Sequence, residues 1–381
     1  MARGKKIRLT EPVVGKEEFS AVKKVLESGW LTEGPITKEF ETEFAKFVGS
    51  KYAIATNNCT TALELCLRVL GIGLGDEVIV PDFTHPATAD VVSWVGAHPV
   101  LVDVDLYSYN IDYEEVEKAI TKKTKCIIPV SWGGNPLHPK LLEELKEKYD
   151  LFIVEDAACS VGAARDGVKT GTMADLTCFS FHPRKVITTG EGGMITTDNE
   201  EYAEKASSLK KFGEKVSGDG SFMEFAYIGT NYKLSDVLGA IGLAQLGKVN
   251  RIINKRIELA HNYNKILSDI DFIRPPMEES GSKHVFQTYA PYIELEGVRN
   301  KMIRDLKAKK IETQIGTYAL HLHPAFTQMR RVGELERSTK LYENLLALPM
   351  CHSMTTEDQE FVVNETKGLL EKYRLQISGQ N

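Results

Sequence analysis

From about residue 60 to residue 197 the chain alternates short apolar runs with amphipathic ones, and this alternation restricts the fold more than any other feature. The strand candidates cover residues 77–81, 99–103, 126–130, 151–155, 177–181 and 193–197, each of the length of a buried strand, with a shorter apolar run at 53–55 ahead of them. Between them lie stretches with helical period, such as 62–70, 113–120 and 140–149, the last with Glu and Lys on its wet face. Continuous apolar strands separated by helices predict an α/β fold with a mostly parallel sheet between helical layers. After Asn231 the pattern changes. Residues 234–267 read as helix, more than one, followed by a strand over 288–295 and helices over 299–309 and 356–372. The 381 residues exceed what one hydrophobic core usually holds. A large domain is therefore expected over 1–250, with its first 35 residues packed near the functional site, and a smaller α+β domain over 251–381.

Charge and composition exclude several classes of function. A net charge of −6 with no basic stripe or helix-turn-helix argues against a nucleic-acid binder, which needs clustered, unopposed Lys and Arg. No apolar stretch is long enough to span a bilayer. The basic start Met1–Lys6 is followed by no apolar core, so a secretory signal is not expected. The six cysteines show no C-x-x-C spacing, which predicts a reduced, cytoplasmic protein without disulfides or structural zinc. His321 and His323 would share a face on a strand, but no third ligand accompanies them and no metal site is expected.

Ligands of open α/β sheets bind beyond the carboxyl ends of the strands, so the residues following each strand carry the chemistry. After residues 53–55 comes Thr56-Asn57-Asn58-Cys59-Thr60-Thr61, at the start of a helix. Such side chains cap a helix; the same N–H groups also hold a phosphate. After 151–154 comes Glu155-Asp156-Ala157-Ala158, where an acid either caps a helix or pairs with a protonated ring nitrogen. After 177–181 comes His182-Pro183-Arg184-Lys185, then a glycine cluster at Gly190, Gly192 and Gly193. The lysine precedes the glycines, which excludes a P-loop, and any single lysine is more often simply solvated. Together, a phosphate cradle, an acid and a lysine at strand ends of one sheet are what pyridoxal 5′-phosphate (PLP) requires. The acid keeps the pyridinium protonated and the lysine forms the Schiff base.

Three motifs carry a resemblance that runs from Ser28-Gly29-Trp30 to Leu348-Pro349: Glu155-Asp156-Ala157-Ala158, Ser180-Phe181-His182 to Lys185, and Gly229-Thr230-Asn231-Tyr232-Lys233-Leu234-Ser235-Asp236. On these the chain resembles the DegT/DnrJ/EryC1/StrS family of sugar aminotransferases, of PLP-dependent fold type I. The resemblance implies that Lys185 carries the cofactor and that Asp156 pairs with its ring nitrogen. It implies that Thr60, Thr61 and Ser180 bind the cofactor phosphate, with Cys59 and His182 beside them. His85 falls where the family places a ring stacked on the pyridine. Asn231 matches the residue that reaches the cofactor phosphate of a neighbouring subunit, implying a homodimer with shared sites. Departures are Cys59 in place of a frequent Gly, Cys159 in place of a frequent Gln or Glu, and Gly316-Thr317-Tyr318-Ala319-Leu320-His321 in place of an aromatic-x-Pro-Leu-His run.

The expected reaction is ping-pong transamination from an amino acid, L-glutamate, to a keto sugar, with a nucleotide-linked 4-keto-6-deoxy sugar as acceptor. Trp30, Thr32, Tyr318 and His321 are the candidate substrate wall. A small phosphorylated ketone is the alternative acceptor. A PLP-dependent sugar dehydratase is a weaker alternative, because such enzymes typically lack the lysine or add an iron–sulfur cluster. Arg184 could face the substrate or only the sheet edge.

Overall fold

The computed structural model describes residues 6–216 and 222–378. Met1 to Lys5, most of the basic start read as non-secretory, lie outside the described residues. Eight strands form the central sheet: β1 (Tyr52–Thr56), β2 (Glu77–Pro81), β3 (His98–Val102), β4 (Thr124–Ile127), β5 (Phe152–Asp156), β6 (Leu176–Ser180), β7 (Gly193–Thr197) and β8 (Arg330–Arg331). Their order is β1-β7-β6-β5-β4-β2-β3-β8. All neighbours are parallel except β7, which runs antiparallel to both β1 and β6. The reversal has a simple cause. A parallel return needs a crossover, usually a helix, and residues 181–192 contain none.

Both faces of the sheet are covered, as its apolar strands require. Along β6, Leu176 and Cys178 enter the core under the helix Cys59–Val69. Phe179 points the other way, against Phe44 of the helix Pro35–Val48, with ring centroids 5.1 Å apart at 71°. The helices Tyr113–Ala119 and Pro139–Tyr149 cover the β2–β5 side with Val116, Leu142 and Leu145.

The residues beyond 231 form two helices, Asp236–Leu246 and Val249–Leu267, then a mixed segment. A separate core gathers Leu259, Tyr263, Tyr289, Met302, Leu306, Val362 and Leu370. The boundary expected near 250 falls in the first turn of the helix Val249–Leu267. That helix serves both cores: Val249, Ile252 and Ile253 face the sheet side, while Leu259, Tyr263 and Leu267 face the second core. Ile7 also joins the second core and bridges to Ile311. The strand expected over 288–295 shrinks to Tyr292–Ile293. Pro291 has no N–H to give a ladder, so pairing breaks there. No described helix is long and apolar enough to cross a membrane.

Candidate active site

The carboxyl ends of β1, β2, β5 and β6 and the start of β7 lie along one edge of the sheet, where open α/β folds bind their ligands. Thr56, Asp156, Ser180 and Gly193 all stand on this edge. Gly193 is needed there for space. A Cβ on it would lie 2.5 Å from the Asn58 carbonyl, so only glycine lets β7 pass under the loop at 56–58.

That loop starts the helix Cys59–Val69. Asn58 caps it, its Oδ1 accepting from the Thr61 N–H at 2.8 Å, and the Asn58 carbonyl accepts from Ala62. The Thr61 hydroxyl turns back to Asn57 Oδ1 at 2.6 Å, so it braces the loop. Unlike the capped amide of Thr61, the N–H groups of Cys59 and Thr60 have no protein partner among the described residues, and they stand at the positive end of the helix dipole. With the Thr60 hydroxyl they suit a phosphate.

Asp156, at the last position of β5, is buried and held from two sides. Its Oδ2 accepts from the Thr88 hydroxyl at 2.9 Å and its Oδ1 from the Ala158 N–H at 3.1 Å. Thr88 in turn touches Thr84 Oγ1 at 3.0 Å. A buried carboxylate fixed in this way, with accepting capacity to spare, suits a ring N–H⁺.

Lys185 lies in the loop after β6, part-buried, with its Nζ 3.2 Å from Cys159 Sγ. Burial opposes its charge, but Cys159, Asp156 and Cys59 outweigh that and hold its proton above the ordinary amine range. Burial pushes the Cys59 thiol well up, with Asp156 adding to it. Burial lowers His85, with Lys185 pressing the same way against Asp156. His182 is also lowered, by burial first and then by Lys185 and Arg184. Both imidazoles are therefore neutral at pH 7, and a neutral imidazole is suited to stack on a cationic ring. Lys185, Asp156, Cys59, Cys159, His85 and His182 thus form one mutually acting group. Ser180 adjoins it, its Oγ accepting from the His182 N–H at 3.4 Å.

Other candidates fall elsewhere. Tyr318 packs its ring against His85, with centroids 6.5 Å apart at 70°, because Tyr318–Ala319 pairs with Phe83–Thr84. His321 is buried, its Nδ1 2.7 Å from Asp82 Oδ2 and its N–H on Asp82 Oδ1. These bonds tie the turn that follows Tyr318–Ala319 to Asp82. Leu320–Leu322 is a 3₁₀ turn, not a strand. The two imidazoles of this run therefore part company, His323 meeting Tyr318 and Tyr342. Trp30 and Thr32 are exposed, on a loop whose Thr32 carbonyl accepts from Asp236 N–H at 3.2 Å. Asn231 is exposed, and its backbone bridges to Lys211. Arg184 donates to Gln314 at 3.2 Å, and its carbonyl accepts from Gln287 at 2.7 Å, tying the lysine loop to the C-terminal part.

Three groups escape a reading of sequence alone. Thr88 orients Asp156; its only linear signal is its place four residues after Thr84. Lys210 is buried, with Nζ 2.8 Å from the Ala55 carbonyl and 3.0 Å from both Glu41 and Glu33. Its own carbonyl accepts from Tyr232, whose carbonyl accepts from Asn57. One lysine thereby fixes the cradle loop, the Trp30 loop and the Asn231 segment together.

The third is Glu155, fully buried on the opposite face of β5, accepting from the hydroxyls of Ser131 and Thr177. Burial pushes its carboxyl up to about 7, though both hydroxyls oppose the rise. Its folded value thus exceeds the ordinary 4.5. Between these two values the folded chain keeps a proton that the unfolded chain has lost, so stability falls as pH rises through this window. Glu155→Gln keeps the acceptor oxygen without the charge. It is expected to raise the thermal midpoint at pH 8 by the equivalent of roughly 1–3 kcal/mol, and to leave it unchanged at pH 4.

Comparison with known proteins agrees with this geometry. The model of the DegT/DnrJ/EryC1/StrS aminotransferase family matches residues 12–367. The spore coat polysaccharide biosynthesis protein SpsC of Bacillus subtilis is 35% identical over 372 residues, 94% of this chain and 96% of that protein. Spr1654 from Streptococcus pneumoniae, in its PLP form, superposes with a TM-score of 0.91 at 29% identity, over 97% of this chain and 99% of that one. Helicobacter pylori PseC, an aminotransferase involved in the biosynthesis of pseudoaminic acid, gives a TM-score of 0.90 at 27% identity, over 97% and 100%. With the lysine, the oriented acid and the cradle on one sheet edge, the chain belongs to the DegT/DnrJ/EryC1/StrS aminotransferase family and is a PLP-dependent aminotransferase.

Proposed function

We propose that this aminotransferase moves an amino group from L-glutamate to a nucleotide-linked 4-keto-6-deoxy sugar, through Lys185, as a cytoplasmic homodimer. The observation that carries the reaction is the grouping of Lys185, Asp156 and the Cys59–Thr60 amides at the ends of three strands. When bound, PLP supplies the electron sink. Lys185 Nζ would anchor it and, as general base and acid, would carry the proton that leaves the donor's α-carbon. Asp156, fixed by Thr88 and Ala158, holds the ring nitrogen's proton. Thr60 and Ser180, with the helix amides, would hold the phosphate, and His85, whose ring meets Tyr318, would stack on the pyridine.

The sugar acceptor is supported by the relatives, SpsC in polysaccharide biosynthesis and PseC in pseudoaminic acid biosynthesis. The dimer is supported by the surface around Asn231. Phe212, Phe225, Tyr227 and Ile228 are all exposed there, Ile228 to 91%, an unusual cluster to leave in water. The Trp30 loop adjoins it through the Lys211–Glu33 pair at 2.7 Å. Acceptor choice is tested by loading the protein with the amino group from L-glutamate, then offering nucleotide-linked 4-keto-6-deoxy sugars and small phosphorylated ketones in turn. Fast return of the cofactor's original absorption with the sugar nucleotides alone supports this reading. Return with the phosphorylated ketones alone overturns it.

A further inference from the structure

Besides anchoring a cofactor, the Lys185 amine has a reactive neighbour. Its Nζ lies 3.2 Å from Cys159 Sγ, and that thiol is its sole hydrogen-bond partner among the described residues. Asp156, close by, has its oxygens turned to Thr88 and Ala158 and does not hold the amine. Of the six cysteines, Cys59, Cys66, Cys126, Cys178 and Cys351 are buried, and Cys159 alone is partly open. Cys66, on the helix Cys59–Val69, and Cys178, on β6, touch at 3.3 Å, but both are sealed in the core. A small oxidant therefore meets Cys159 first, since oxidation follows exposure and thiolate character.

We propose that Cys159 and Lys185 form a covalent modification site, in which peroxide joins the thiol sulfur to the lysine nitrogen. In the first step the sulfur attacks a peroxide oxygen. The O–O bond breaks, sulfur is oxidised by two electrons, peroxide is reduced by two, and one water leaves. The product is a sulfenic acid, a species that condenses with nitrogen. In the second step the Lys185 nitrogen attacks that sulfur. The S–O bond breaks, and its hydroxyl leaves as water with a proton from the amine. In sum, thiol, amine and hydrogen peroxide give an S–N bond and two waters. Two equivalents of a small thiol reverse it, yielding free Cys159, free Lys185 and the reductant's disulfide. Only the neutral amine attacks, and Lys185 holds its proton above the usual range, so the condensation quickens as pH rises. The link consumes the nitrogen that anchors PLP, and bound PLP in turn occupies that nitrogen. The cofactor-free chain is thus the form that closes.

The test is read by mass, and its outcome does not depend on which acceptor the enzyme uses or on whether it transaminates. The full chain, with and without saturating PLP, is treated with hydrogen peroxide, alkylated and digested with trypsin. The PLP-free chain is expected to lose cleavage after Lys185 and to give a linked peptide containing residues 159 and 185, two hydrogens lighter than its parts. Dithiothreitol should restore cleavage and PLP uptake. PLP should cut the yield at least about tenfold, by occupancy of the nitrogen, and Cys159→Ser should abolish the link. Cys159 found as a sulfinic or sulfonic acid, or in a disulfide with Cys59, while trypsin still cuts after Lys185, would overturn the proposal. So would a link that forms equally well with PLP present, or one carrying an extra oxygen.

Discussion

Lys185→Ala is expected to lower transamination by more than about 10⁴-fold, because in the proposed mechanism it removes both the covalent anchor and the group that carries the proton. The fold should survive. The residue is only part-buried, and among the described residues the one hydrogen bond of its side chain is to Cys159. Far-UV circular dichroism of the variant should therefore match the parent, which separates loss of chemistry from loss of structure. The variant should still take up PLP through the helix amides and Asp156, but more weakly and without the absorption of the lysine-bound form. A Lys185→Ala protein that turned over at the parental rate would remove the lysine from the mechanism.

Asp156→Asn is expected to lower kcat by roughly 10²–10³-fold, the usual effect of removing one preorganised charge from a buried site. Asparagine keeps the shape and can still accept from Thr88, but it no longer favours a positive ring nitrogen. Thr88→Val is the matching control. It removes the 2.9 Å bond to Asp156 and the 3.0 Å contact with Thr84 while preserving the packing of a fully buried side chain. Its effect should be smaller, about 10-fold, since the Ala158 N–H still fixes one carboxylate oxygen. Steady-state kinetics on the three proteins, with PLP saturating, give the ordering. Equal activity of Asp156→Asn and the parent would deny Asp156 its role at the ring nitrogen.

What the sequence disclosed and what it hid divide along physical lines. The strands that became β2 to β7 were legible because each is a short run of largely apolar residues, and burial on both faces leaves that mark. Asp156 and Lys185 stood out as candidates because one closes such a run and the other lies in the loop just beyond one. The direction of β7 was not, since it depends on the lack of a helix between Ser180 and Gly193. Residues 288–295 look strand-like by composition, yet Pro291 interrupts the pairing. The groups that orient the site left almost no linear signal. Thr88 meets Asp156 from 68 residues away, and Lys210 meets Ala55 from 155. His321 attracts notice as a substrate residue, but its partner Asp82 stands 239 residues earlier and draws it into the interior. Local periodicity fixes elements; it does not say which polar side chains will meet once the sheet has formed.

The account rests on Lys185 carrying PLP and exchanging it for the amino group of a donor. The direct measurement is the absorption spectrum of the PLP-loaded protein before and after addition of L-glutamate. A band near roughly 410–430 nm that gives way to one at about 330 nm is predicted, the change expected when the lysine-bound cofactor becomes its amino form. A protein that shows no band when PLP is supplied, or a band that no amino acid moves, would contradict it.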